Sequence, residues 1–243
     1  MEVWRLITTW GAPPAFNMGL DEALLLTADA PPTLRFYSWK PAALSLGYFQ
    51  RVADVPGAEL AGMVVRRITG GGAIHHANEL TYSLCASQAH SLFRGPVADS
   101  YRRIHEAIAA ALAGFGVEAG LRGERDLASE REGTGMCFHR STALDLVWNG
   151  RKGVGSAQRR KDGRVLQHGS IKVGGSPLEG DVATLRVESR AVPELSAVAA
   201  RLRAAFGEHF GLAFEAGVPS AEERALARRL GARYVDPAFV RRR

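Results

Sequence analysis

Cysteine is scarce. The 243 residues hold only Cys85 and Cys137, which argues against a disulfide framework in a chain this long and for a reducing cytoplasm. No run approaches the roughly 20 apolar residues that a membrane span requires. The N-terminus lacks the basic-then-apolar order of a secretion signal. Cys-x-x-Cys and His-Glu-x-x-His spacings are both missing, so neither Cys137 with His139 nor His75 with His76 reads as a metal site. A complete Walker-type Gly-Lys-Ser/Thr sequence is missing too. Gly153-Val154-Gly155 lacks the third glycine of a dinucleotide fingerprint and precedes no helix. No internal repeat or low-complexity linker interrupts the chain.

What is present suffices for one large globular domain spanning residues 1–243, with 46% of residues hydrophobic. The net charge is +6, from 31 basic and 25 acidic residues. That balance fits nucleic acid, a phosphate-bearing substrate or an acidic protein partner. Much of it is arginine beside alanine and leucine, which a GC-rich genome also produces.

Residues 2–8 alternate as a first strand, stopped by Pro13-Pro14. Helical spacing follows over 16–28, with Asn17 as cap and Asp21 and Glu22 near the positive end. Strands are expected over 33–39, 43–47, 64–68 and 80–86, leaving 70–79 as a long loop. Val97, Tyr101, Ile104, Ile108 and Leu112 share one face of a helix over 97–115. Residues 120–135 read as a mobile polar excursion, and helices recur over 193–209 and 221–230. Strands outnumber helices and several join by hairpins. The fold class is therefore α+β, a largely antiparallel or mixed sheet flanked by helices.

The chain is organised around residues 133–173. Asn149-Gly150 is the strongest hairpin signal, since both central residues of a type I′ turn need positive φ. Asp162-Gly163 is a second. They divide a three-stranded antiparallel meander over 143–148, 152–158 and 165–173. Two-residue loops pair Val147 with Lys152, Gln158 with Gln167 and Ala157 with His168. Gly153, Gly155 and Ala157 then leave one face nearly bare, as where a ligand comes close to backbone. Lys152 and Cys137 are expected near its edge.

The segment NGRKGVGSAQRR…LQHGSI resembles the signature of the lipoate-protein ligase and octanoyltransferase family, itself similar to the biotin-ligase catalytic domain. Three further stretches agree, in order: Asn17-Met18-Gly19-Leu20-Asp21-Glu22, then Leu44-Ser45-Leu46-Gly47-Tyr48-Phe49-Gln50, then Arg66-Arg67-Ile68-Thr69-Gly70-Gly71-Gly72-Ala73. The resemblance implies a biotin-ligase and class II synthetase-like sheet over roughly residues 1–190. Some relatives carry a small C-terminal accessory domain, which this chain is expected to lack.

Several residue types in these stretches can carry chemistry. Thr69-Gly70-Gly71-Gly72-Ala73 can cradle a phosphate on backbone N–H groups or let an acyl chain lie on bare backbone. With Arg67 before it and His76 after it, this resembles the family's substrate loop. Relatives usually carry an aspartate after the position of His76. Here it is Ala77, so that carboxylate's role is lost or supplied from elsewhere, with Glu79 the candidate. An ammonium at Lys152 can stabilise charge on an acyl carbonyl or an adenylate phosphate, and can favour the thiolate of a neighbouring cysteine. Gly155, Ser156, Ala157, His168 and Gly169 would line the bed. His168 either orients the acyl group or braces the sheet.

Cys137 lies in a polar setting, with His139 and Arg140 as cationic neighbours, whereas Cys85 reads as core. A Cys-Phe fifteen residues ahead of the lysine resembles the cysteine-lysine octanoyltransferases. There the resemblance implies an octanoyl-acyl carrier protein donor, a Cys137 thioester, and transfer to a lysine of a lipoyl domain or glycine-cleavage H protein. No cofactor is required on that reading, and no nucleic acid or membrane takes part. ATP and magnesium enter only if the chain is instead a lipoate ligase acting through an acyl-adenylate. An amidotransferase between carrier proteins would carry the same residues, and a non-catalytic or regulatory binding module would retain only the pocket.

Overall fold

The two hairpin signals form as the sequence predicts. Asn149 and Gly150 have φ of 50° and 69°, Asp162 and Gly163 of 49° and 75°, the left-handed pair that a type I′ turn demands. Val147 pairs with Lys152, Gln158 with Gln167 and Ala157 with His168. The computed structural model describes residues 1–188 and 193–242.

In chain order the elements are β1 (Glu2–Ala12), α1 (Pro14–Leu26), β2 (Thr33–Trp39), β3 (Ala43–Leu46), β4 (Val64–Arg66), β5 (Ile74–His76), β6 (Glu79–Ser87) and α2 (Val97–Ala113). There follow β7 (Gly120–Leu121), β8 (Leu146–Trp148), β9 (Arg151–Lys161), β10 (Arg164–Lys172), α3 (Leu185–Glu188), α4 (Leu195–Phe210), β11 (Leu212–Ala216), α5 (Ala221–Val235) and α6 (Pro237–Val240). Eight strands form one sheet in the order β11-β1-β2-β6-β10-β9-β8-β7, and β4-β3-β5 form a small second one. In the large sheet β1 runs parallel to β11 and β2, and the other pairings are antiparallel. This is the mixed, helix-flanked α+β sheet expected.

Alternation along the strands sends apolar side chains to two cores. On one side Leu34, Phe36, Tyr82, Leu84 and Val165 meet Ile104 and Ile108 of α2 and Leu202 and Phe206 of α4. On the other, Ile7, Cys85 and Leu166 meet Met18, Leu20 and Leu24 of α1. Helix α5 packs on α1 through glycine: a Cβ at Gly19 would stand 2.1 Å from the Ala227 carbonyl oxygen and 3.0 Å from the Gly231 nitrogen. Gly19→Ala should therefore cost about 1–3 kcal/mol, the scale of overpacking. Calorimetry should read this as a Tm lower by roughly 3–10 °C; an unchanged Tm would contradict the contact.

Four expectations need correction. Helix α1 starts at Pro14, whose missing N–H suits a first helical position, so Asn17 is an interior residue and not a cap. Its side-chain amide donates to the Ala12 and Ser38 carbonyls. Asp21 is likewise no surface partner of the helix dipole. It is a buried hub receiving Arg35 and Tyr37, each at 2.8 Å, and Ser83 and His168, each at 3.0 Å. Burial would raise its pKa, but His168 and Arg35 outweigh that and lower it. The expected long loop over 70–79 contains β5, which pairs with β3. The stretch 120–135 is anchored by the β7–β8 pairing and by Ser129, which accepts the Lys152 backbone N–H at 3.1 Å. Apart from the start of α1, which Pro14 sets locally, periodicity could not find these, because each depends on a partner on another element.

Candidate active site

The pocket is built on the α1-facing side of the large sheet. Gly155, Ser170, Thr81 and Tyr37 are successive cross-strand partners on β9, β10, β6 and β2, so they form one row across the floor. Strand β5 covers it with Ile74 and His76. The far end is closed by Trp39, which stacks on His76 with ring centroids 3.8 Å apart and donates to Thr81 Oγ1 at 2.8 Å.

Cys137 opens a short 3-10 turn, Cys137–His139. Its N–H donates to the Ala73 carbonyl at 2.7 Å, while the Ala73 N–H donates to Gly135 O at 2.9 Å. The glycine loop and the cysteine turn thus run side by side. A Cβ at Gly72 would lie 2.8 Å from the Cys137 nitrogen, so glycine is what permits the approach. Arg67 is buried and donates to the Gly70 and Gly72 carbonyls, both at 2.7 Å. It shapes the loop from the pocket wall.

Lys152 and Cys137 meet. Lys152 Nζ is 3.4 Å from Cys137 Sγ, 3.0 Å from Cys137 O, 3.2 Å from Arg140 O and 2.8 Å from Asp145 Oδ2. Burial opposes the ammonium, but the charges of Cys137 and Asp145 outweigh that and raise the lysine pKa. The group therefore stays protonated at neutral pH, a fixed cation beside sulfur. Phe138 is fully buried and faces two ammoniums, Lys172 at 4.7 Å and Lys152 at 5.5 Å from its centroid. This gives the Cys-Phe pair its structural sense.

Gly155 leaves room for that pair. A Cβ there would stand 2.8 Å from Lys152 Cε and 3.3 Å from Cys137 Sγ. Gly153 does not belong to the bare face: its side-chain space is filled by the Trp148 ring, 1.9 Å from where a Cβ would be. The register of β9 on β8 slips between Leu146 and Val147, and such a bulge upsets the alternation that the sequence implied. Ser156 turns its hydroxyl to the opposite side, 2.6 Å from both Tyr82 OH and His105 Nε2. Gly169 is small for the same reason, since a Cβ would lie 2.4 Å from Ser156 Oγ.

Of the residues singled out in the sequence, Arg67, Gly70, Gly71, His76, Cys137, Gly155, Ser156, Ala157, His168 and Gly169 border this one pocket. Gly72, Ala73 and Lys152 stand immediately behind. His168 braces: its nitrogens reach Asp21 at 3.0 Å and Thr69 Oγ1 at 2.7 Å. Near Ala77 the carboxylate of Glu79 lies 2.5 Å from His76 Nδ1. Burial takes the His76 pKa down to about 4, so the ring is neutral. The expected cations at Cys137 are a different matter. His139 is bonded to Thr134 Oγ1 and Glu179 O with its pKa lowered by burial, and Arg140 is exposed; Lys152 is the cation in contact with sulfur. Cys85 is core, its thiol pushed up to about 12 by burial.

Sequence reasoning missed Asp145. It follows the apolar Leu144 and precedes β8, and only the fold shows it beside Lys152. Among the described residues no group of three or more His, Cys, Asp or Glu side chains could hold a metal ion. No helix there is long and apolar enough to cross a membrane.

Fold and site together define an α+β domain with a thiol–ammonium pair at one end of a narrow pocket. The chain belongs to the lipoyl protein ligase A/B catalytic-domain family, whose model matches residues 13–203. It is 42% identical over 200 residues to octanoyltransferase LipM of Moorella thermoacetica, covering 79% of this chain and 72% of that one. To octanoyltransferase LipM of Kyrpidia tusciae it is 38% identical over 253 residues, covering 96% and 89%. In structure it is similar to a T. acidophilum protein assigned as a lipoate protein ligase with bound lipoic acid, at TM-score 0.81, 23% identity and full coverage of both chains.

Proposed function

We propose that this protein is an acyltransferase that moves an octanoyl group onto a specific lysine of a lipoyl domain or glycine-cleavage H protein, through a thioester on Cys137. The observation that carries the reading is the 3.4 Å contact between Lys152 Nζ and Cys137 Sγ over Gly155. The relatives named octanoyltransferase support it.

In the first step the Cys137 thiolate attacks the carbonyl carbon of an octanoyl thioester on an acyl carrier protein. The carbon–sulfur bond to the phosphopantetheine arm breaks, and its thiolate leaves with the electron pair. In the second, the lysine amine of the acceptor attacks the Cys137 thioester. An amide forms, the Cys137 sulfur departs, and the proton shed by nitrogen balances the thiolate. Thioester exchange is nearly isoenergetic and amide formation runs downhill, so neither ATP nor another cofactor is needed. Lys152, held protonated, stabilises the thiolate and the oxyanion of each tetrahedral intermediate. Asp145 and the two carbonyls fix its position.

The floor supports an eight-carbon chain. Gly155 lies by the sulfur and Thr81 two strands away, about 10 Å at ordinary sheet spacing, near the length of an extended octanoyl group. The Trp39–His76 stack stands there.

Incubation with octanoyl-acyl carrier protein and intact-mass analysis should add one octanoyl group to the wild type and none to Cys137→Ala. Mass retained by the alanine variant would overturn the covalent route. Pyrophosphate release with free lipoate and ATP would select the ligase instead. Neither activity, across several donors and acceptors, would favour a binding module.

A further inference from the structure

Outside the pocket lining, next to the start of the glycine loop, the aromatic ring of Tyr48 carries two guanidinium groups that the mechanism above does not use. Arg242 Cζ lies 4.0 Å from the Tyr48 centroid and 4.3 Å from that of Phe239, and Arg159 Cζ lies 5.8 Å from Tyr48. Both arginines are exposed. Among the described residues neither joins an ion pair, whereas Arg5, Arg35, Arg51, Arg122, Arg151 and Arg233 each meet a carboxylate. Arg242 also donates through Nη2 to the Tyr48 carbonyl at 3.3 Å. Stacking and that bond hold its guanidinium plane in place while its remaining N–H groups stay available for an anion, and a planar fork suits phosphate.

Position ties the pair to the site. The Tyr48 N–H donates to the Thr69 carbonyl at 2.8 Å, so its backbone is tied to the start of the glycine loop that borders the pocket. Arg159 follows Gly155 and Ala157 at alternate positions of β9 and therefore lies on their face of the strand. It lies four positions beyond Gly155, roughly 13 Å at strand rise. The arm that would deliver an acyl group has about thirteen bonds between sulfur and phosphorus, roughly 16 Å when extended. A donor whose thioester sits at Cys137 thus brings its phosphate within reach of Arg159 and Arg242.

We propose that Arg159 and Arg242, braced on Tyr48, bind the phosphate of the phosphopantetheine arm of the acyl donor. This assignment rests on the acyl-transfer reading and adds a subsite to it. The clamp recognises one anionic group at a set distance from the sulfur, and the carboxylates of a carrier protein are the rival source of such charge.

The experiment measures the rate of acyl-enzyme formation on the full chain, wild type against Arg159→Ala/Arg242→Ala. Three donors are compared: octanoyl-acyl carrier protein, octanoyl-phosphopantetheine without protein, and octanoyl-N-acetylcysteamine, which has no phosphate. The expected result is a roughly tenfold or greater fall in kcat/KM with both phosphate-bearing donors, the scale of a lost charge-assisted hydrogen bond. The N-acetylcysteamine thioester should react within about twofold of wild type, well inside that scale. An equal fall with all three donors overturns the subsite, since the variant has then damaged the common machinery. No fall with either phosphate-bearing donor overturns it as well. A fall with the carrier protein alone assigns the arginines to carrier carboxylates and overturns the phosphate assignment. Absence of acyl-enzyme from every donor, in the wild type too, is the distinct result that removes both this subsite and the acyl-transfer reading.

Discussion

Lys152→Met is expected to slow acyl-enzyme formation by about 10²–10³-fold, the usual loss when one preorganised donor of a developing oxyanion is removed. Methionine keeps the length and much of the volume while deleting the charge. The substitution also leaves Asp145, 3% exposed, without its counter-ion and held only by Thr142, which should destabilise the fold by about 3 kcal/mol. The two effects can be separated. In Lys152→Met/Asp145→Asn the orphaned carboxylate is gone, so most of the stability should return while the rate stays low. Stopped reactions read by intact mass, with thermal unfolding alongside, check both halves. A double variant that regains the wild-type rate would show that the ammonium only fills space.

Gly155→Ala should be nearly as damaging to the chemistry and far milder to the fold. The added methyl would stand 2.8 Å from Lys152 Cε, 3.1 Å from Nζ and 3.3 Å from Cys137 Sγ. The nearest of these atoms end a flexible side chain, so the chain can yield by moving the ammonium off the sulfur. A displacement near 1 Å costs on the order of 100-fold in rate. The Tm should move by no more than roughly 3 °C, since no backbone atom is among the nearest contacts. Alkylation of Cys137 by iodoacetamide at several pH values would report the same displacement without substrate. Wild-type acylation in this variant would contradict the proposed seating of the pair.

Both expectations concern atoms of residues 137–155 that no local rule brings together, and this explains what was legible beforehand. Asn149-Gly150 and Asp162-Gly163 specify hairpins because positive φ is a local demand, and the register of β9 on β10 follows from loop length. Arg67, the three glycines, Cys137 and Lys152 stood out through resemblance. Gly153 was misplaced because a bulge is set by the partner strand. Asn17 and Asp21 have the residue types of a helix start, but their partners, Arg35 and His168, come from β2 and β10. Asp145 went unnoticed because a carboxylate between apolar residues has no meaning until Lys152 is seen beside it.

The sequence by itself determined the local geometry: where strands turn, which faces are apolar, and that Gly155 and Ala157 leave part of one face of β9 nearly without side chains. Tertiary structure alone decided which charges are buried together. Long-range pairing carries β5 and the cysteine turn across the sheet, and burial there excludes water, so a 2.8 Å or 3.4 Å contact acquires chemical weight. Propensities act over a few residues, whereas the field at a sulfur atom is summed over everything packed around it.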